Sequence, residues 1–320
     1  MQLITGGMGF IGLHTAHALL EMGETCVLTQ YRVKRMPDFI QAEIGKRVFV
    51  KQLDVTDRSA LLELGGRYPI TGIVHLADPG PWRTDPREYF RLSTNTLLSV
   101  LDAAETWNAR RVTIASTIGI YMGLESSGVP LREDMPLPML APHPIPTFKK
   151  VAELISSNIA ARTGFSIVHT RFGAWGPLSH HPPSPMNIHS QLVHAAVAGE
   201  TPDFTRPPSH AYAEDGVDLC YARDCGRGIA LLRLADKLRY ATYNIGAGKA
   251  TRYGELATAI KKIIPDARLD LPGGYDPQGP GKVIELDISR IREDTGYAPQ
   301  YSLERAVADY IAWLRAGNDE

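Results

Sequence analysis

Thr5-Gly6-Gly7-Met8-Gly9-Phe10-Ile11-Gly12 is the stretch whose reading decides the fold. It follows the short apolar Leu3-Ile4 and runs directly into Leu13-His14-Thr15-Ala16-His17-Ala18-Leu19-Leu20, the order of strand, glycine-rich turn and amphipathic helix. Gly6, Gly9 and Gly12 recur every third residue. They allow a tight turn, a close backbone approach to a pyrophosphate, and close packing of helix on strand. A phosphate placed there would meet the free N–H groups of a helix N-terminus, where the helix dipole favours negative charge. Gly6, Gly9, Phe10, Ile11 and Gly12 are therefore the first candidates for holding a dinucleotide.

Composition narrows what surrounds that loop. A chain of 320 residues, 44% hydrophobic and 22% charged, can bury a large core as one domain or two fused lobes. A formal net charge of −1 offers no bulk attraction to nucleic acid or to an anionic membrane. No apolar run approaches the roughly 20 residues that span a bilayer. Three cysteines, Cys26, Cys220 and Cys225, make neither a disulfide framework nor a metal-ligand spacing. The histidines at 180, 181, 189, 194 and 210 match no ligand pattern, so no metal site is expected. A nucleotide-type loop so near the first residue leaves no room for a cleaved signal peptide ahead of it, and a cytoplasmic location is expected.

Strands and helices alternate downstream. Gly23 suits the C-terminal stop of the first helix, and Thr25-Cys26-Val27-Leu28-Thr29-Gln30 reads as the second strand. An acid commonly ends this strand in NAD-binding proteins, accepting hydrogen bonds from ribose hydroxyls. Here the end is Thr29-Gln30-Tyr31-Arg32, followed by Lys34 and Arg35. Without the acid, and with cations in its place, Gln30 and Arg32 tilt the expectation toward a 2′-phosphate, hence NADP over NAD. Further strands are predicted at 48–50, 72–77, 111–117 and 166–171, with helices at 88–107, which carries Asn95, and 147–162. This rhythm predicts an α/β fold, a Rossmann-type doubly wound parallel sheet. Beyond Pro177 the chain becomes rich in Pro, His and Ser, then mixed, with helices at 187–198, 253–264, 287–295 and 302–315. The expected organisation is a dinucleotide-binding domain of 1–176 with returns around 216–246, and a smaller, partly interleaved substrate lobe of 177–215 and 247–320.

Several segments, taken in order, resemble the extended short-chain dehydrogenase/reductase family, the NAD(P)-dependent epimerase/dehydratase group. They are the loop at 5–12, Leu53-Asp54-Val55-Thr56-Asp57, His75-Leu76-Ala77, Ala115-Ser116-Thr117-Ile118-Gly119-Ile120-Tyr121, Arg171-Phe172-Gly173-Ala174-Trp175-Gly176-Pro177, Ala222-Arg223-Asp224-Cys225-Gly226-Arg227-Gly228-Ile229-Ala230 and Tyr243-Asn244-Ile245-Gly246. The resemblance implies that Asp54, with Val55, contacts the adenine and that Leu76 and Ala77 lie along the cofactor. It also implies that Lys149 holds the nicotinamide ribose and that Thr117 steadies a substrate oxygen. Dimers formed through helices like those at 88–107 and 147–162 are common among similar proteins, and a homodimer is the expectation by that analogy.

The same resemblance exposes a departure. The family pairs a Tyr with a Lys four residues later, usually followed after four more by Glu. Lys149 and Glu153 fill the last two places, which puts Ile145 of His143-Pro144-Ile145-Pro146-Thr147-Phe148-Lys149 in the Tyr place; choosing Lys150 puts Pro146 there. Neither register supplies a phenol. Acid/base catalysis ordinarily contributes about 10²–10⁴ in rate, and an aliphatic side chain cannot provide it. His143, with an unperturbed pKa near 6.5, Tyr121 and a desolvated Lys149 are the candidate replacements, and His75 and Asp78 border the same region.

Trp82 and Trp175 are candidate pocket walls, and Arg223, with Arg227 and Arg252, a candidate clamp for a substrate phosphate. The functional expectation is an NAD(P)-dependent oxidoreductase or epimerase/dehydratase acting on a hydroxyl or keto group of a sugar-like or other small molecule, with a non-standard acid/base. Two alternatives remain open: a dinucleotide-binding sensor or partner-binding module without redox activity, and a lyase or isomerase using bound cofactor transiently.

Overall fold

Leu3 and Ile4, Val27 and Leu28, and Ile73 and Val74 are neighbouring pairs of fully buried residues, and in each pair the two side chains enter cores on opposite faces of one sheet. That alternation is what a strand covered on both sides requires. The computed structural model describes residues 1–31, 37–80, 85–124, 128–140, 143–179, 187–205, 211–279 and 283–318.

The sheet comprises β1 (Gln2–Thr5), β2 (Cys26–Gln30), β3 (Val48–Gln52), β4 (Gly72–His75), β5 (Arg111–Ala115), β6 (Ser166–Phe172) and β10 (Thr242–Ile245). Two-residue strands β7 (Ala174–Trp175), β8 (Gly216–Val217), β9 (Cys220–Tyr221) and β11 (Thr251–Arg252) make two small pairs, β7 with β9 and β8 with β11. The large sheet runs β3-β2-β1-β4-β5-β6-β10, and every pairing in it is parallel. Strand order reverses at β1, which pairs with β2 on one side and β4 on the other, and the crevice beyond their C-terminal ends is where an open α/β sheet takes its ligand. The predicted parallel fold is thus found, with its seventh strand supplied by a segment far downstream of β6.

The helices are α1 (Phe10–Glu21), α2 (Asp38–Gln41), α3 (Arg58–Arg67), α4 (Pro86–Thr106), α5 (Pro144–Thr163), α6 (Ile188–Ala198), α7 (Ala222–Leu234), α8 (Tyr253–Lys261), α9 (Ser289–Thr295) and α10 (Leu303–Arg315). Leu13 and Leu19 of α1 and Ile229 of α7 fill the core on one face; Leu61 of α3, Leu97 and Val100 of α4 and Phe148 of α5 fill the other. A third core joins Leu192 and Val193 of α6, Leu256 and Ile260 of α8, and Val307, Tyr310 and Ile311 of α10. Among the described residues no helix is long and apolar enough to cross a membrane.

Helix ends follow local chemistry. Gly23, at φ +85°, stops α1, and the Asp57 side chain caps α3 by accepting from the Ala60 N–H at 3.0 Å. Helix α5 begins at Pro144, three residues ahead of the sequence expectation of 147, because the missing proline N–H costs nothing in a first turn. Its cap is His143, whose Nδ1 accepts from the Ile145 N–H at 3.3 Å. This earlier start puts Ile145 in the first helical turn, one turn ahead of Lys149.

Candidate functional site

The glycine loop is folded so tightly that its glycines leave little or no room for a Cβ. Gly6 has φ +65°, and a Cβ there would sit 3.0 Å from the Ala77 backbone. A Cβ at Gly12 would lie 2.4 Å from the Gly6 carbonyl oxygen, and one at Gly9 3.1 Å from the same atom. Gly7 is equally constrained, 2.8 Å from Ile4 and Leu28 atoms. Thr29 Oγ1 accepts from the Gly6 N–H at 2.9 Å and so anchors the loop to the end of β2. Gly9 is the N-cap of α1 and brings no side chain to cap it. The first-turn N–H groups, those of Phe10 and Ile11 among them, are therefore left for solvent or an anion. The Phe10 ring itself turns away onto His14, edge to face at 5.9 Å.

A cleft of about 500 Å³ opens over this loop. Gly6 and Gly9 form its floor, Gln30, Asp54 and Val55 one end, and Leu76, Ala77 and Asp78 the other. Asp54 is held by Thr56, whose N–H and hydroxyl both donate to its Oδ1, at 2.9 and 2.7 Å. Thr5 fixes the opposite end. Its hydroxyl accepts from the Leu76 and Ala77 N–H groups at 3.2 and 3.3 Å and lies 2.7 Å from His75 Nδ1. Complete burial, with Lys149 nearby, lowers the His75 pKa to about 3, so His75 is a neutral structural partner of Thr5.

Lys149 reaches the second end from α5. Its Nζ is 4.0 Å from Asp78 Oδ2. Burial lowers its pKa, while the Asp78 and Glu153 charges work in the opposite sense. Lys150 points elsewhere, donating to the backbone oxygens of Pro138 and Leu140. Of the two lysines, Lys149 is thus the one beside Asp78, and the residue one turn before it is Ile145, half-buried against the α4 and α5 core. Asp78 is itself pinned, accepting from the Gly80 N–H at 2.9 Å and from the Tyr89 hydroxyl at 3.2 Å. Its charge also raises the His143 pKa against a larger lowering by burial. Thr117, next along from β5, uses its Oγ1 to accept from the Gly119 N–H at 3.1 Å and starts the short 3₁₀ turn Ile118–Tyr121.

Behind the site lies a buried polar network. Ser116 donates to Glu153 Oε1 at 2.5 Å, and Arg171 grips the same carboxylate at 3.0 and 2.6 Å. Burial alone would raise the Glu153 pKa, but the Arg171 hydrogen bonds and charge overcome it and hold the carboxyl below the usual range. Arg171 also donates to the Tyr121 hydroxyl at 2.9 Å, and that hydroxyl donates to Asn244 Oδ1 at 2.8 Å.

Several sequence candidates are placed away from the cleft, and each is corrected here. Tyr121 is 3% exposed and built into the Arg171–Asn244 network, where burial pushes its phenol up to about 12. Trp175 is also 3% exposed and packs in the third core against His189, Tyr221 and Tyr310, and it is not among the described residues that line the cleft over the glycine loop. Arg223 is engaged by Asp309 at 3.1 Å, with Tyr221 donating to the same oxygen at 2.5 Å. Asn95 is exposed on α4, and it is Leu92 and Thr96 of that helix that line the cleft. Arg32, Lys34, Arg35 and Trp82 lie outside the described residues. Thr5, Thr29 and Thr96 were missed, since lone threonines in strands and helices carry no motif.

The arrangement matches known proteins over its full extent. Residues 2–246 match the model of the NAD dependent epimerase/dehydratase family. UDP-glucose 4-epimerase 2 of Arabidopsis thaliana is 24% identical over 97% of this chain and 94% of its own length. UDP-glucose 4-epimerase of Bacillus subtilis is 23% identical over 97% and 96%. Among solved structures, a UDP-glucose 4-epimerase from Thermotoga maritima with UDP-glucose aligns with TM-score 0.80 at 19% identity, covering 99% of each chain. One from Stenotrophomonas maltophila, with bound NAD and formylated UDP-arabinopyranose, aligns with TM-score 0.81 at 21% identity over 99% and 98%. The glycine loop, the strand order and the family match agree, and the chain belongs to the NAD dependent epimerase/dehydratase family of enzymes.

Proposed function

We propose that this enzyme binds NAD or NADP across the β1/β4 crevice and uses it on a hydroxyl or keto group of a sugar-like small molecule, with an acid/base that is not a tyrosine. The cleft over the glycine loop carries the reading: the loop backbone leaves no room for a Cβ at Gly6 or Gly12 and little at Gly9, while the first turn of α1 has no side-chain cap. Those features fit a pyrophosphate that needs backbone N–H donors at close range. Gln30, Asp54 and Val55 would receive the adenosine half, and Leu76, Ala77 and Lys149 the nicotinamide half. When bound, the nicotinamide accepts or returns a hydride, which supplies transient oxidation of a carbinol carbon.

The chain's own residues manage position and protons. The Lys149 ammonium offers three donors at the nicotinamide end, and Thr117 offers a hydroxyl at the end of β5. Ile145 offers neither donor nor acceptor. His143 and Lys149 are titratable groups of the α5 N-terminal segment, where Lys150 is turned to the Pro138 and Leu140 backbone oxygens, and we assign proton transfer to that segment. Gln30 and Arg32, with no acid between them, support a preference for NADP; NAD is the cofactor bound in solved relatives such as those from Stenotrophomonas maltophila and Bifidobacterium longum, which supports the other choice. The UDP-sugars named for several relatives support a nucleotide-sugar substrate. A homodimer through α4 and α5 is supported by exposed Leu98, Val151 and Leu154 on those helices, and we read the protein as cytoplasmic.

The test is thermal shift and nicotinamide fluorescence of the purified chain with NAD+, NADH, NADP+ and NADPH, followed by UDP-glucose and a panel of other alcohols. No shift with any dinucleotide would overturn the reading. Ile145 favours a second reading, a dinucleotide-binding protein without redox chemistry; saturable dinucleotide binding with no turnover across the panel would establish it.

A further inference from the structure

The charges around the cleft are unevenly placed. Among the described residues that line it, Asp54 and Asp78 are the ionisable acids, and no Lys, Arg or His lines it. Asp78 stands at the end of β4, where Ala77 meets Gly6, and its side chain is 26% exposed. Lys149 sits behind it, 12% exposed and 4.0 Å away, and is not part of the lining. The Gly80 N–H and the Tyr89 hydroxyl hold the carboxylate in place, at 2.9 and 3.2 Å, and Tyr89 is itself fully buried. The pair is thus a fixed dipole with its negative end toward the cleft.

A dinucleotide seated on the glycine loop spreads one nucleoside over β2 and β3 and the other over β4 and β5. With adenosine at Asp54, the nicotinamide ring comes to the Asp78 end. The oxidised ring carries a formal positive charge and the reduced ring carries none, so a carboxylate facing that end distinguishes the two states by Coulomb attraction. We propose that Asp78, anchored by Tyr89 and backed by Lys149, sets the oxidation-state preference of the bound cofactor by favouring the oxidised ring. This inference rests on the dinucleotide reading given above and adds to it the residue that fixes the cofactor's resting state.

The experiment is a pair of dissociation constants, for NAD+ and NADH (or NADP+ and NADPH if that pair binds more tightly), measured on the full chain and on Asp78→Asn and Asp78→Glu. Asp78→Asn should lower the affinity for the oxidised form relative to the reduced form by about tenfold, as expected for removing one charge from a partly screened site. Asp78→Glu should restore most of the ratio. A merely structural role would weaken both forms equally, and an unchanged ratio in an Asp78→Asn protein that still binds both overturns the proposal. Lys149→Gln is the independent check should Asp78→Asn not fold: its ratio should move in the opposite sense, toward the oxidised form, and a ratio that stays or moves the other way overturns the proposal. If the unaltered chain binds no dinucleotide, the functional reading fails as well, and that outcome is separate from an unchanged ratio.

Discussion

Glu153 and Arg171 meet in a bidentate pair, with 3.0 and 2.6 Å hydrogen bonds from one guanidinium to one carboxylate, and both side chains are almost wholly buried. The pair joins α5, which carries Lys149, to β6, and through Ser116 and Tyr121 it reaches the ends of β5 and β10. Its removal should therefore loosen the site without touching the cleft. Glu153→Ala leaves a buried guanidinium uncompensated, which costs about 3–5 kcal/mol in comparable pairs. Chemical denaturation of the variant should show a loss of that order. The folded carboxyl is held below its ordinary range, so the pair contributes its full stability at pH values above the unfolded glutamate pKa of about 4.3 and loses it as pH falls below that value. The wild type should lose stability through that acid window, and Glu153→Ala should lose less across it.

Gly12→Ala is the sharpest test of the loop. The added methyl would lie 2.4 Å from the Gly6 oxygen and 2.7 Å from the Gly7 Cα, both backbone atoms with no freedom to swing aside. The loop must open, and dinucleotide affinity should fall by at least about a hundredfold, in line with losing about 3 kcal/mol of contact. Titration with NAD+ or NADP+ reads this directly, with circular dichroism confirming that the sheet survives.

Lys149 and Lys150 should separate cleanly. Lys149→Met removes a charged donor from the cleft end and should weaken dinucleotide binding by about tenfold or more. Lys150→Met loses contacts only to the Pro138 and Leu140 backbone oxygens and should leave binding within about twofold. Equal losses in both would return the register to its open state.

Ile145→Tyr places a phenol one turn before Lys149, on a helix that already exists. If the site lacks only the acid/base, the variant should gain turnover of UDP-glucose or another active alcohol by about 10²-fold or more. An unchanged or lower rate would show that another group already does the work, and His143→Ala would then be the variant to assay.

His189 lies fully buried between Trp175 and Tyr253, and neither ring nitrogen has a hydrogen-bond partner among the described residues. Burial lowers its pKa to about 3, so the folded state holds it neutral. Its contribution is intact above the unfolded histidine value of about 6.5 and is lost as pH falls from there toward the folded value. His189→Phe should raise stability at neutral pH by about 1 kcal/mol, since no hydrogen bond is given up, and should flatten the acid limb below pH 6.5. Melting curves between pH 4 and 8 would decide.

Legibility followed sequence distance. The glycine loop, the Asp54 segment and the His75-Leu76-Ala77 strand end each declare themselves within a few residues, because strand, turn and helix are built from local spacing and steric demand. The start of α5 was less legible: Pro144 and Pro146 read as loop, although a first turn accommodates them. Tyr121 and Trp175 were misplaced as site residues for another reason. A conspicuous aromatic beside a motif looks like a pocket wall until its burial and partners are known, and here those partners are Arg171 and Asn244 for one, His189 and Tyr221 for the other.

By itself the sequence determined the parallel α/β architecture and the dinucleotide-type loop, because alternating apolar runs and glycines at a spacing of three act through the backbone's own geometry. It also determined that an aliphatic residue precedes Lys149 by one helical turn, once that lysine was known to be the right one. Tertiary structure alone decided the rest: that Lys149 and not Lys150 stands beside Asp78, that Asp78 faces the cleft in front of it, and that Glu153, Arg171, Tyr121 and Asn244 form one network. The hydrogen-bonded partners in that network are 18 to 123 residues apart in the chain, and what brings them together is a sheet order in which distant strands become neighbours.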